Sequence, residues 1–212
     1  MSSDRKNRKE RLTEVKSGAW ASSSQDYLRL ANDLFEQSMA HAKRFGNNIS
    51  PYPIAGIPLL VSTLRALLIE ANSGMYGADS DLGAMRRLAT DQNEIELVAK
   101  KYIGVGSIAA QELSLLYEVR NEIIHPAHMP AGTSHNTPLN MLLLRERGLL
   151  QSSGKPDSDY TWLSQLQSHR LFQWSFVTVE QVAEAVLANH HSMQDFAALH
   201  LKCYAKYRKY DL

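Results

Sequence analysis

Arg120, Asn121 and His125 lie in the stretch Leu116-Tyr-Glu-Val-Arg-Asn-Glu-Ile-Ile-His-Pro126, and together they hold the parts of a site for phosphodiester chemistry. An imidazole can take or give a proton near neutral pH, and a guanidinium can stabilise charge developing on phosphate oxygens. The amide of Asn121 is a candidate orienter for the ring. The bare spacing carries little weight, because 13 Arg and 8 His among 212 residues bring such pairs together by chance. The weight comes from the helix around them and from where it stops.

Ile108 to His125 reads as one long helix cut short by Pro126. At about 100° per residue, Ile108, Leu115, Leu116, Val119 and Ile123 form a core-facing arc, which Leu113, Tyr117 and Ile124 widen on one flank. Arg120 falls inside the widened arc. Asn121, Ser114, His125 and Glu118 fall on the polar side. A cation flanked by apolar neighbours must meet an acid or line a cleft or interface. On an ideal helix Arg120 and His125 diverge, but the proline disfavours helical backbone at the residue before it, so His125 is half released and its ring can turn. Asn121 lies four residues earlier on the same strip.

Purely structural roles are also open. Arg120 can form a buried ion pair, with Glu70 or Glu112 as partner. His125 can simply end a helix at the negative end of its dipole, and Asn121 can be an exposed residue near that end.

The other elements also read as helices. Asp26–Phe45 is the first, with Leu30, Leu34, Met39 and Ala42 roughly on one side. Ser50-Pro-Tyr-Pro with Gly56 and Pro58 makes a stiff entry to the second, which has Ile57, Val61, Leu64 and Leu68 as its stripe. Leu82–Ala89 is a short helix, and Asp91 with Glu94 reads as a capping box opening the next, to about Tyr102. Gly104-Val-Gly-Ser is a break. Thr137-Pro138 starts a helix that stops at Gly148. Tyr160 to Phe176 is a short helix or a two-stranded ribbon, and Thr178 with Gln181 opens the last long helix. The expectation is an all-α bundle, with residues 1–24 a flexible basic tail and 25–212 a single helical domain.

Composition narrows the function classes. The chain is 44% apolar with a net charge of +1, which supports a sizeable core and argues against a protein that coats DNA through bulk positive charge. The greasiest stretch, Ile54 to Ala71, is broken by Arg65 and Glu70, so no membrane span is expected. The start shows no secretory pattern, and Cys203 is alone; both point to the cytoplasm. Basic clusters stand at Arg5, Lys6, Arg8, Lys9 and Arg11, and at Lys202, Lys206, Arg208 and Lys209, the latter interleaved with Tyr204, Tyr207 and Tyr210. Both read as solvated tails, with a nucleic-acid surface as the other reading.

His125, His128 and His135 bring no cysteine and no ordered helical pair, so no metal is expected. His190-His191 near His200 reads as a polar helix face. Gly104-Val-Gly-Ser lacks the remaining features of a phosphate loop, and Cys203 reads as packing. No cofactor is expected.

The Leu116–Pro126 stretch resembles the signature of the HEPN superfamily (higher eukaryotes and prokaryotes nucleotide-binding). In that signature an Arg, often followed by Asn or another polar residue, precedes a His by four to six residues. The resemblance implies an up-and-down helical bundle over roughly residues 26 to 200, here with an extra C-terminal segment. It makes Arg120 and His125 the catalytic pair and Asn121 their support. The implied activity is a metal-independent endoribonuclease cutting single-stranded RNA, by attack of the 2′-hydroxyl on the adjacent phosphate to leave a cyclic phosphate. It further implies a homodimer whose two motifs face one another, a toxin or phage-defence role, and an antitoxin or other regulatory protein as partner. The alternative is a non-catalytic HEPN-like module that binds RNA, a nucleotide or a protein. Ala127 stands where toxin members often carry Tyr, and Thr137 to Phe176 is longer than a minimal bundle needs.

Overall fold

Apolar residues at three- and four-residue spacing dominate the chain, and the structure, a computed structural model, resolves them into helices. It describes residues 23–45, 48–72, 88, 90–125, 139–151 and 162–189. In chain order these give α1 (Ser23–Phe45), α2 (Pro53–Asn72) and α3 (Asp91–Val98), which runs on into a π-helical turn (Ala99–Ile103). Then come α4 (Ile108–Ile124), α5 (Leu139–Glu146), α6 (Trp162–Gln165) and α7 (His169–Ala188). The described residues contain no strand, only an isolated antiparallel bridge between Ile49 and Ser168. The described part of the protein is all-helical.

α2 is the centre, because almost its whole circumference is apolar. Ile57, Leu60, Val61, Leu64, Leu67 and Leu68 are all buried. By length and composition it could cross a membrane, and Arg65 and Glu70 do not lower its apolarity below that mark; here it packs against α1, α4 and α7. α1 runs antiparallel to it: Ser24 at one end bonds to Glu70, and Ser38 further along bonds to Ser50 just before α2.

Several boundaries differ from the sequence reading, each for a local reason. α1 begins at Ser23, because Ser24 donates both its backbone N–H and its hydroxyl to Glu70. Its inner face is Leu28, Ala31 and Phe35, while Leu30 is 48% exposed. Gly56 and Pro58 lie inside α2 and do not delay it; Gly56 is needed where the Phe172 ring crosses the helix backbone. Thr90, not Asp91, caps α3, its hydroxyl accepting from the Asn93 N–H. That leaves Asp91 and Glu94 free to turn to other partners. Thr178 is interior to α7, its hydroxyl donating to the Trp174 carbonyl, and the true cap is Ser168. So the Tyr160–Phe176 stretch, where described, is the short α6 and then the first turns of one long helix.

α4 starts after Gly104 and Gly106, both at positive φ, with Ser107 as its cap. Its first residue, Ile108, is 77% exposed, because the helix meets the core only from Ala110 onward. From there Leu113, Leu115, Leu116, Tyr117 and Val119 are buried. The Leu82–Ala89 helix, apart from the buried Leu88, falls outside the described residues. So do the basic clusters, Thr137-Pro138, His128, His135, His190, His191, His200 and Cys203.

Candidate functional site

Arg120 sits on the flank of α4 that packs toward α3, with its side chain 14% exposed. The carboxylate it meets is Asp91, whose Oδ1 accepts from Arg120 Nη2 at 2.6 Å. The expected partners are engaged elsewhere. Glu70 holds Ser24. Glu112, two turns earlier on α4, accepts from Arg147 at 2.7 Å and from the Trp174 indole at 2.5 Å. Arg120 reaches the start of α3, whereas Glu112 faces α7.

Asp91 Oδ1 also accepts from Arg65 Nη2 at 2.7 Å, and Arg65 Nε donates to Glu94 Oε2 at 2.6 Å. The other oxygen of Glu94 takes the hydroxyl of Tyr117. The Arg120 guanidinium lies 5.5 Å from the centre of the Tyr117 ring, within the range of a cation–π contact. One cluster therefore ties α2, α3 and α4 together, through Arg65, Asp91, Glu94, Tyr117 and Arg120. Within it the Nε of Arg120 is buried without an acceptor among the described residues.

The electrostatics follow from depth. Burial works to raise the Asp91 carboxyl, but its two guanidinium partners outweigh that and hold it below the ordinary aspartate value. Glu94 lies deeper, and there burial wins: its carboxyl is raised, although Tyr117 and Arg65 pull the other way. Burial, with Glu94 beside it, pushes the Tyr117 phenol well above its usual value. For Arg65, burial works to lower the guanidinium and the paired carboxylates more than restore it.

His125 is the C-cap of α4, exposed, with non-helical backbone at φ −126° and ψ 65°. Its backbone N–H donates to the Asn121 carbonyl at 2.7 Å, closing the last helical turn. The link from Asn121 to His125 is thus through the backbone. Among the described residues no hydrogen bond joins the His125 ring to Arg120 or to the Asn121 amide. Within one chain, then, the structure brings Arg120 to a carboxylate and sets His125 apart in solvent.

Sequence reasoning missed Arg65, Asp91, Glu94 and Tyr117 as a unit. One signal was present: a lone arginine inside the apolar stretch Ile54–Ala71 demands a counter-charge for the same reason as Arg120. No group of three His, Cys, Asp or Glu side chains placed to hold a metal occurs among the described residues. His128 and His135 lie outside them. No family model, curated protein or solved structure matches the chain.

Proposed function

We propose that the chain is a metal-independent endoribonuclease of the HEPN type, a cytoplasmic homodimer that cuts single-stranded RNA through Arg120 and His125. The observation that carries the reading is the placement of these two residues on one helix. Arg120 is braced by Asp91 at the flank, and the exposed His125 stands where the helix is interrupted. In the protein without RNA, Asp91 engages Nη2 and keeps the guanidinium at this flank, while Nε has no acceptor among the described residues. In the proposed reaction an RNA 2′-hydroxyl gives up its proton to one imidazole and attacks the neighbouring phosphorus. The P–O5′ bond breaks, the leaving oxygen takes a proton from the second imidazole, and a 2′,3′-cyclic phosphate remains. The two imidazoles are those of the two His125 copies, which is why the reading requires a dimer. Arg120 stabilises the phosphate charge, and Asn121 supports His125 from the preceding turn.

One observation favours a second reading. The Arg120 side chain is only 14% exposed and bears on Asp91, as expected of a residue that fastens α4 to α3. On that reading the chain is a non-catalytic HEPN-like module that binds RNA, a nucleotide or a protein. Purified protein and single-stranded RNA decide between them. Cleavage that survives a chelator and is lost in both Arg120→Ala and His125→Ala supports the ribonuclease. RNA binding without cleavage, unchanged in His125→Ala, overturns it in favour of the second reading.

A further inference from the structure

We infer that Arg65 and Arg120 form a two-guanidinium subsite for an RNA phosphodiester, and that Asp91 occupies the phosphate's place until RNA displaces it; the inference rests on the ribonuclease reading and deepens it. Asp91 Oδ1 accepts from Nη2 of both arginines, at 2.7 and 2.6 Å, although the arginines belong to different helices. One anionic oxygen between two guanidiniums is the geometry in which a phosphate oxygen is held.

The carboxylate fills that place incompletely. The Nε of Arg120 is buried with no acceptor among the described residues, so among them the edge formed by Nε and Nη2 is only half used. A phosphate group in the same position offers a second oxygen to that edge, completing a bidentate pair while retaining Arg65.

The cluster is also arranged so that Asp91 can leave without the arginines collapsing. Arg65 remains held through Nε by Glu94, Glu94 is held in turn by Tyr117, and Arg120 lies over the Tyr117 ring. Asp91 is the first residue of α3, whose cap is provided by Thr90, so the helix start does not depend on its side chain. Exposure rises from Arg120 at 14% to Asp91 at 29% and Arg65 at 35%. The solvent side of the cluster is therefore the Asp91–Arg65 side. With Asp91 displaced, two guanidiniums face the single carboxyl of Glu94, and the subsite is electropositive.

The test measures binding apart from cleavage, using a single-stranded RNA 2′-O-methylated throughout, which lacks the attacking hydroxyl. Its affinity is read by fluorescence anisotropy across a range of salt for wild type, Asp91→Asn, Arg65→Gln and Arg65→Lys, with thermal melts alongside. Removing the competing carboxylate in Asp91→Asn is expected to tighten binding about fivefold. Arg65→Gln is expected to weaken binding and to reduce the salt slope by about one. If Arg65→Gln does not fold, Arg65→Lys decides: weaker binding with the slope retained supports the subsite, and wild-type affinity overturns it. Unchanged or weaker binding in Asp91→Asn also overturns it. Cleavage of unmodified RNA, measured separately, keeps the two ideas apart. Cleavage indifferent to Arg65 and Asp91 sinks the subsite alone, whereas Arg65-dependent binding without cleavage sinks the ribonuclease alone.

Discussion

The hydroxyl of Tyr117 donates to the carboxylate of Glu94, and both side chains are shut away from solvent. Burial raises the Glu94 carboxyl, so this acid depends on its two donors, Tyr117 and Arg65, more than a surface acid would. In Tyr117→Phe the ring still packs beneath Arg120, but one oxygen of Glu94 loses its donor. The expected cost is about 1–3 kcal/mol, the range for stranding a buried polar group. Urea denaturation of Tyr117→Phe, Glu94→Gln and the double variant checks it. The double variant should be less destabilised than the sum of the two, because the stranded oxygen is counted once. Strict additivity would mean that the pair does not interact.

Gly56 makes a different kind of demand. A Cβ built there would stand 2.0 Å from Cζ at the tip of the Phe172 ring, and Phe172 is itself packed against Phe35 and Phe176, so it has little room to retreat. Gly56→Ala should therefore destabilise the protein by about 1–3 kcal/mol, despite the higher helix propensity of alanine. Adding Phe172→Leu should recover part of the loss. A Gly56→Ala variant as stable as wild type would show that α2 and α7 are not in such close approach.

These two contacts mark where sequence reasoning reached and where it stopped. The helical class and the apolar stripes of α2 and α4 were legible, because a period near four residues is a local property. So was the demand of Arg120 for an acid, since the residues around it on the wheel are apolar. Which acid was not legible. Glu70 and Glu112 were the candidates, yet Glu70 holds Ser24, Glu112 belongs to Trp174 and Arg147, and Asp91 is brought in by how α3 docks on α4. Likewise Gly56 read as a helix-entry signal, because a close ring is invisible in one dimension. The proposed reaction needs a second His125, and so a second copy of the chain, a matter of assembly beyond the pattern of one helix.

His169 predicts a pH dependence of stability. Ser38 donates to Ser50 at 2.7 Å, so it accepts from Nδ1–H of His169 at 2.9 Å. Burial, together with the charge of Lys43, lowers the imidazole from its ordinary 6.5. The folded state thus holds the second proton less tightly than the unfolded state, and stability should fall as the pH drops below about 6.5. Glu94, with its raised value, contributes with the opposite sign over the range above its ordinary 4.5, but it does so in any variant that retains it. The difference between wild type and His169→Asn therefore isolates the histidine. Chemical denaturation between pH 7 and pH 5 should show a steeper acid loss in wild type than in His169→Asn. Parallel curves would show that His169 does not titrate differently on folding.

His125 leaves the helical conformation, at φ −126° and ψ 65°, and the sequence places Pro126 directly after it. A proline disfavours helical backbone at the residue before it, so the release of His125 is a property of Pro126 and not of the histidine. In Pro126→Ala that restriction is lifted and the helix can continue. Continuation would carry the imidazole about 140° around the axis from Arg120. Helix propensity improves with the change, so the melting temperature should hold or rise. RNA cleavage should nevertheless fall, by about tenfold if the ring occupies its working position a tenth of the time. A variant that is both stable and fully active would show that His125 need not leave the helix to act, and with that the catalytic role assigned to the helix end would lose its physical basis.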